Sequence, residues 1–148
     1  MKKLLIFAVL GISSVLAGCQ STRVDAIQAN EVPVERMYWE SVRDKNRGDS
    51  QIIVKRDAGV IYSACVSNLF FQGVRVAELW PGEKVTLYVP RGEYILGEFL
   101  SGGACFPFLK TLVVNVKPNS INIFRIKTTF MGANGGETLI RDNDTSME

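Results

Sequence analysis

The sequence has 148 residues, of which 47% are hydrophobic, and its 17 basic and 15 acidic side chains leave a formal net charge of +2. This length suits one domain with a hydrophobic core, and the nearly balanced charge offers no basic surface for a nucleic acid. The chain contains no histidine, which excludes Ser–His–Asp and Cys–His catalytic arrangements and histidine-based zinc sites.

The N-terminus has the pattern of a secretory signal. Lys2 and Lys3 precede a mostly apolar run, Leu4 to Leu16, which is shorter than the roughly 20 residues needed to span a bilayer core. The run ends in Leu16-Ala17-Gly18-Cys19, which resembles the bacterial lipobox. That resemblance implies cleavage after Gly18 and a diacylglyceryl group on Cys19, whose new amine receives a further, palmitate-type chain. The alternatives are a transmembrane anchor or a buried free cysteine.

Cleavage at this site changes the charge of the mature protein. Loss of Lys2 and Lys3 leaves 15 basic and 15 acidic side chains in the 130 residues from Cys19 to Glu148, so the excess charge belongs to the signal. Three acyl chains hold a protein firmly on a membrane, whereas one chain binds only marginally. Gln20 stands where an aspartate retains members of this family in the inner membrane, which favours an outer-membrane, periplasm-facing anchor.

Composition divides the chain into four parts. Residues 1–18 are predicted to be the signal peptide, residues 19–32 a flexible lipidated tether, residues 33–141 the folded domain and residues 142–148 a frayed tail. Pro33 opens a segment with a helix-compatible start. Its Met37-Tyr38-Trp39 is expected to pack on the flank of the domain, with an exposed aromatic contact for a partner as the alternative.

From Gln51 onward the pattern is that of strands separated by turns. Pro81-Gly82 and Pro90-Arg91-Gly92 are strong turn signals, and no long amphipathic helix pattern occurs. We therefore predict an all-β, antiparallel sandwich of about seven or eight strands. The predicted strands are Gln51–Arg56, Val60–Val66, Val74–Leu79, Lys84–Val89, Tyr94–Leu100, Leu109–Val116, Ile121–Thr128 and, more weakly, Glu137–Arg141. Residues 69–72 lead into Gly73 between the second and third of these.

Two of these strands carry a further prediction. Val85, Leu87 and Val89 alternate with polar residues, which predicts that one face of their strand is buried. In the Ile121–Thr128 strand, Ile121 and Ile123 are out of phase with Phe124 and Ile126. That strand is therefore expected either to be buried on both faces or to contain a bulge.

Two cysteines remain once Cys19 is assigned to lipid. In an exported domain, Cys65 and Cys105 are expected to form a disulfide, which requires the Cys65 strand to lie beside the loop that follows Leu100. In the chain-entropy model this bridge contributes about 4 kcal/mol. Two buried free thiols are the alternative. The bridge leaves no thiolate for a nucleophile, and two cysteines fall short of the four that an iron–sulfur cluster usually takes.

The carboxylates and glycines are the remaining candidates for a catalytic or phosphate-binding site. Glu78, Glu83, Glu93 and Glu98 lie near the two Pro/Gly turns, where solvated charge is a better explanation than an acid–base pair. The segment Gly132–Gly136 lacks the Gly-Lys-Ser/Thr ending of a phosphate loop and is expected to be a hairpin loop. We therefore predict no catalytic residue, no cofactor and no metal ligand.

Several short motifs support a resemblance to a known family. They are Val32-Pro33-Val34-Glu35-Arg36, Arg56-Asp57-Ala58-Gly59, Ser63-Ala64-Cys65, the run from Gly73 to Leu79 and Pro90-Arg91-Gly92-Glu93. With a second cysteine after them, they resemble a family of small proteobacterial outer-membrane lipoproteins, and residues 71–96 are similar to PEGA-type, immunoglobulin-like β modules. The resemblance covers about half of the chain and implies a fold and a location, but no substrate.

These observations lead to two functional expectations. The favoured one is a non-enzymatic lipoprotein held in the outer membrane by the acyl chains on Cys19, whose sandwich contacts envelope proteins or peptidoglycan. The second is an accessory lipoprotein of a secretion or conjugation machine. An enzyme ranks third, and binding to a nucleic acid is not expected.

Overall fold

A computed structural model describes residues 21–60, 62–103, 105, 107, 109–129 and 136–147. In these ranges nine strands form two sheets around a shared core, which confirms the predicted all-β sandwich. The strands are β1 (Asn30–Glu31), β2 (Ser50–Arg56), β3 (Val66–Phe71), β4 (Val74–Leu79), β5 (Glu83–Val89), β6 (Gly92–Ser101), β7 (Leu109–Val116), β8 (Ile121–Thr129) and β9 (Gly136–Arg141).

The first sheet has the strand order β1-β5-β2-β8-β9. β2 pairs antiparallel with β5 but parallel with β8, and β1 pairs parallel with β5. The predicted purely antiparallel arrangement is therefore wrong for this sheet. Parallel neighbours need a long connection, and the chain supplies one by crossing to the second sheet twice between β2 and β8.

The second sheet has the order β4-β3-β6-β7 and is antiparallel throughout. β3 and β4 form a hairpin whose two turn residues, Gln72 and Gly73, have φ values of 52° and 78°. Positive φ at both positions is typical of the tight turns whose twist matches that of the paired strands.

The core lies between the two sheets and contains side chains from both. Val85, Leu87 and Val89 all face it, which confirms the face predicted from their alternation. β8 is buried on both faces: Phe124 joins this core, and Ile123 packs on the outer side with Ala26. The bulge alternative for β8 does not apply, because its pairing with β2 runs without a shift.

The predicted strand at residues 60–66 is wrong. The described residues between Arg56 and Val66 form a loop, which we call the 57–65 loop; in it Gly59 and Tyr62 have φ values of 138° and 55°, and the strand begins only at Val66. Backbone at positive φ cannot continue an extended ladder. Val60 is 74% exposed, so this apolar residue does not belong to the core that its hydrophobicity suggested.

The predicted flexible tether is also wrong for residues 21–32, which we call the strap. Thr22 forms an antiparallel bridge with Ala58, Ala26 is fully buried, and the strap ends as β1 beside β5. The strap has few apolar residues, of which Ala26 packs against the outer face of the first sheet in contact with Ile53 and Ile123, whereas Val32 joins the main core.

The tail, residues 142–147, packs beside the strap and is not frayed. Lys55 points outward from β2, yet it is fully buried because its ammonium group is held by Asp142 and Asp144 of the tail. The amide of Ala26 donates to the Asp144 carboxylate at 2.6 Å. Strap and tail together therefore cover the part of the outer face of the first sheet around Ile53, Lys55 and Ile123.

Between the strap and β2 lie three single-turn 3-10 helices, Val34–Arg36, Glu40–Arg43 and Lys45–Arg47. Pro33 stands at the N-cap of the first, as its position suggested. Met37 bridges to Ala77, and Met37 and Trp39 pack against the core, which confirms the predicted flank packing for these two residues. Tyr38 is 55% exposed.

The strand directions give the sandwich two different ends. At one end β2, β4, β6 and β8 finish, and Thr22 and Cys65 lie there; we call it the disulfide end. At the other, the polar end, the connections are residues 44–49, 72–73, 90–91 and 117–120.

Candidate functional site

One buried arginine organises the disulfide end. Arg56 is 1% exposed, and its guanidinium donates to the carbonyl oxygens of Tyr62 at 3.0 Å, Cys65 at 2.8 Å and Leu79 at 2.9 Å. Its own carbonyl accepts from Gly82 at 3.1 Å. A charged group is tolerated inside a protein when it is well hydrogen-bonded. Arg56 thus joins the end of β2 to the 57–65 loop and to the turn after β4.

Cys65 and Cys105 form a disulfide, as predicted, with their Cα atoms 6.1 Å apart. The pairing of Val66 with Ser101 brings the residues on either side of the bridge together, which is the neighbour relation that the prediction required. Cys65 stands just before β3 and not inside a strand. The bridge excludes the alternative of two free thiols.

A second charged unit holds the turn between β4 and β5. Glu83 accepts two hydrogen bonds from Arg36, one of them 2.7 Å long, and a third from the amide of Trp80 at 2.8 Å. The hydrogen bond to Glu83 raises the pKa of Arg36. The Arg36 guanidinium also lies 4.6 Å from the centre of the Trp80 ring, a cation–π contact that positions a side chain which is still 53% exposed.

Glu78 takes part in a third cluster, on the flank of the molecule. Its carboxylate accepts from the Tyr38 hydroxyl at 2.7 Å and pairs with Arg75, whose guanidinium lies 3.9 Å from the centre of the Tyr38 ring. The hydrogen bond to Glu78 raises the pKa of Tyr38. Tyr38 is therefore held in place by charged neighbours, and its ring remains on the surface.

The four candidate glutamates do not form an acid–base pair. Glu78 and Glu83 are engaged with different arginines. Glu93 and Glu98 are five residues apart on β6, which separates them by about 17 Å and points them to opposite faces of the sheet. Glu98 is buried, so its predicted place in a solvated turn is wrong, whereas Glu93 is exposed.

The outer face of the second sheet carries an apolar groove of about 360 Å³. Gly97 lies at the bottom of this groove. A Cβ atom added to Gly97 would lie 3.3 Å from the Phe70 side chain and 3.6 Å from the Leu109 side chain. The groove has no ionisable side chain in its lining and therefore offers contact area without acid–base chemistry. It is lined by Phe70, Gly73, Ile95, Gly97, Phe99, Leu109 and Thr111.

Several sequence predictions fall outside the described residues. These are the signal peptide, Cys19 and residues 132–135 of the glycine-rich segment. Among the described residues, no helix has the length and apolarity to cross a membrane. The same part of the chain has no group of three or more cysteine or acidic side chains placed to hold a metal ion.

Comparison with known proteins gives no relative. The chain matches no protein-family model, no curated protein and no solved structure.

Sequence reasoning missed Arg56, Lys55 and Trp80. Arg56 and Lys55 look like a charged strand end, and only their sequence neighbour Val54 marks the strand as buried. For Trp80 a signal was present, since a tryptophan directly before Pro81-Gly82 stands in a turn and is expected on the surface. The disulfide end thus combines a buried, hydrogen-bonded frame with exposed apolar side chains.

Proposed function

We propose that the protein is a non-enzymatic envelope lipoprotein, anchored in the outer membrane by acylated Cys19 and presenting its sandwich to the periplasm. The observation that carries the proposal is the Leu16-Ala17-Gly18-Cys19 sequence behind a charged start and a thirteen-residue, mostly apolar run. Gln20 favours the outer over the inner membrane.

Two features of the folded domain support this proposal. The Cys65–Cys105 disulfide is of the kind that persists outside the reducing cytosol. The folded domain also begins at Thr22, so Cys19 precedes it directly. A lipid on Cys19 would therefore attach the domain to the membrane without adding to its core.

A role without catalysis agrees with the chemistry of the described surface. Glu78 and Glu83 are neutralised by arginines, and the groove on the outer face of the second sheet is apolar. Apolar sheet surface of this kind suits contact with another envelope protein. The small proteobacterial lipoprotein family suggested by the sequence motifs fits the same role.

The anchor is tested by Cys19→Ser. Wild-type protein expressed with labelled palmitate in a Gram-negative host should incorporate the label and lose residues 1–18. Cys19→Ser should accumulate as unlabelled, uncleaved precursor, because the thiol is the acceptor of the first lipid. Ser21→Ala serves as the matched control and should behave like wild type. Normal processing and membrane fractionation of Cys19→Ser would overturn the proposal.

The partner is identified by crosslinking in intact cells followed by purification. Several envelope proteins in the eluate would support a general role in the envelope. One dominant subunit of a secretion or conjugation machine would instead support the role of an accessory lipoprotein of that machine. Hydrolysis of a peptidoglycan or glycan panel, abolished by Glu98→Gln or Glu93→Gln, would show that the protein is an enzyme.

A further inference from the structure

We infer that the disulfide end of the sandwich lies against the lipid bilayer, with Trp80 and Val60 in the headgroup region. This inference rests on the proposed acylation of Cys19 and adds to it an orientation and a contact surface. The partner is the membrane lipid itself, which makes Trp80 and Val60 lipid contacts and leaves the polar end facing the periplasm.

The reach of the chain limits how far the domain can lie from its anchor. Thr22 is held to Ala58 by two backbone hydrogen bonds, of 2.7 and 2.9 Å. Only three residues lead from Cys19 to Thr22, and at most about 3.6 Å is gained per residue, so the two Cα atoms lie within about 11 Å of each other. The headgroup layer is itself about 5–8 Å thick on each side. An anchored chain therefore brings Ala58 close to the membrane surface.

The residues next to Ala58 have the chemistry that such a surface requires. Val60 follows in the same loop and is 74% exposed, and the turn that contains Trp80 and Gly82 is adjacent, because a Cβ on Gly82 would contact Ala58 at 3.9 Å. Exposed tryptophan is enriched at membrane interfaces, where its ring is amphipathic.

This end can meet a bilayer without rearranging. Arg56 and the Cys65–Cys105 bridge hold the 57–65 loop, and Asp57 is paired with Arg125. Arg36 and Glu83 likewise form a pair. These four charges are therefore compensated, which lowers the cost of bringing them near lipid.

The polar end offers a direct contrast. Its connections are rich in charged and amide side chains, which a headgroup–acyl boundary does not favour. They include Lys45, Asn46, Arg47, Gln72, Arg91, Lys117 and Asn119. The disulfide end is thus the less polar of the two ends, as expected for the end that lies next to the lipid anchor.

The chain provides its own pair of probes, because it contains two tryptophans. Trp80 is at the disulfide end, whereas Trp39 packs on Phe71 at the far end of β3, about 13 Å further along the strand direction. Trp39→Phe leaves Trp80 as the only tryptophan, and Trp80→Phe leaves Trp39. Trp39→Phe keeps an aromatic ring against Phe71, and thermal melting checks that both variants fold.

The experiment uses lipidated protein purified from membranes and reconstituted in phosphatidylethanolamine–phosphatidylglycerol vesicles that contain brominated lipid. Emission from Trp80 should be quenched relative to vesicles without bromine, and emission from Trp39 should be unchanged. Val60→Asp in the protein that keeps only Trp80 should reduce the quenching of Trp80 emission. Val74→Asp is the matched control, because Val74 is 50% exposed beside the polar-end turn, and should have no effect.

A longer tether tests the reach argument. About 20 Gly/Ser residues inserted between Gln20 and Ser21 give a mean extension of roughly 25 Å, which should restore Trp80 emission. Quenching of Trp39 equal to that of Trp80, or no quenching of Trp80 in protein with a lipid on Cys19, would overturn the orientation while the proposed function stands.

Failure of the proposed function can be distinguished from failure of the orientation. A mature chain without lipid on Cys19 would overturn the proposed function. The orientation is then tested on the same chain coupled through the Cys19 thiol to a maleimide-bearing phospholipid, with the same expected and contradicting results. Retained Trp80 quenching after the tether insertion would instead indicate that the surface binds lipid without needing the short reach, and would overturn the reach argument.

Discussion

Lys55 shows how a single residue can take its role from distant parts of the chain. It points away from the core on a central strand, where a lysine normally reaches water, yet Asp142 and Asp144 enclose it. Removal of one partner of a buried pair leaves an uncompensated charge, which is the costly case. Lys55 is therefore a stability determinant although it is outside the main core.

Lys55→Ala should lower the free energy of unfolding by about 3–5 kcal/mol, because the buried Asp144 carboxylate loses its cation and Asp142 keeps only Arg23. Urea unfolding followed by tryptophan fluorescence measures the change. Lys127→Ala removes an exposed lysine of β8 and, as the control, should cost no more than about 0.5 kcal/mol. A Lys55→Ala protein as stable as this control would contradict the assigned role.

Asp144 predicts a dependence of stability on pH. Burial alone would raise the pKa of Asp144, but the hydrogen bonds from Lys55, Ser146 and the Ala26 amide outweigh it and hold the pKa far below its usual value. A carboxylate with a lowered folded-state pKa stabilises the protein fully above the unfolded-state value of about 3.9, and this stability is lost as the pH falls below it.

The melting temperature should therefore fall between about pH 5 and pH 2. Asp144→Asn, which cannot titrate, should start from a lower stability and show a shallower fall over the same range. Thermal melts at matched ionic strength measure both curves. Parallel curves for the wild type and Asp144→Asn would show that Asp144 does not contribute to acid sensitivity.

At the scale of elements, the disulfide joins two loops that hydrogen bonds already hold. Arg56 bonds to the carbonyl of Cys65, and β3 pairs with β6 directly beside the bridge. The bridge spans 40 residues of sequence. It therefore constrains the unfolded chain more than it reshapes the folded one.

Loss of this bridge should destabilise the domain by about 4 kcal/mol in the chain-entropy model. The double substitution Cys65→Ala and Cys105→Ala avoids a stray thiol, and its melting temperature should match that of reduced wild type. Reductant should have no effect on the double variant. An identical melting temperature for oxidised and reduced wild type would refute the stabilising role.

At the scale of the whole molecule, the folded unit runs from the strap to the tail. The strap contributes Ala26 and the tail contributes Asp144, and the two meet over Ile53 and Ile123. The strap, whose sequence is typical of a polar spacer, thus completes a second, smaller apolar cluster on the outer side of the first sheet.

Native-state hydrogen exchange tests this extent of the domain. The amides of Thr22, Ala26 and Ala29, which donate to Ala58, Asp144 and Asp25, should exchange almost as slowly as those of β2. The Ile27 amide, bonded at 3.3 Å to the exposed Ser146 hydroxyl, is the internal control and should exchange faster. Exchange of the Ala26 amide at the rate of an unfolded peptide would restore the tether interpretation.

The sequence by itself determined those features that depend on local pattern or on counting. Strict alternation along residues 84–89 predicted a strand with one buried face. The double apolar phase of β8 predicted either burial on both faces or a bulge, and the first is observed. The two cysteines that remain after Cys19 predicted a disulfide, with two free thiols as the alternative. The absence of histidine limited the chemistry in the same way. These signals require no knowledge of which strand lies beside which.

Only the tertiary structure decided the parallel pairing of β2 with β8, the loop at residues 57–65 and the docking of strap and tail. Each depends on contacts between distant residues, and the physical reason is clearest for Lys55 and Asp144, which are 89 residues apart in the sequence. A charged residue or a polar stretch is predicted to be solvent-exposed unless the distant residue that it contacts is known. The same contacts decide that Thr22 is fixed at the disulfide end, and the proposed orientation at the membrane rests on this position.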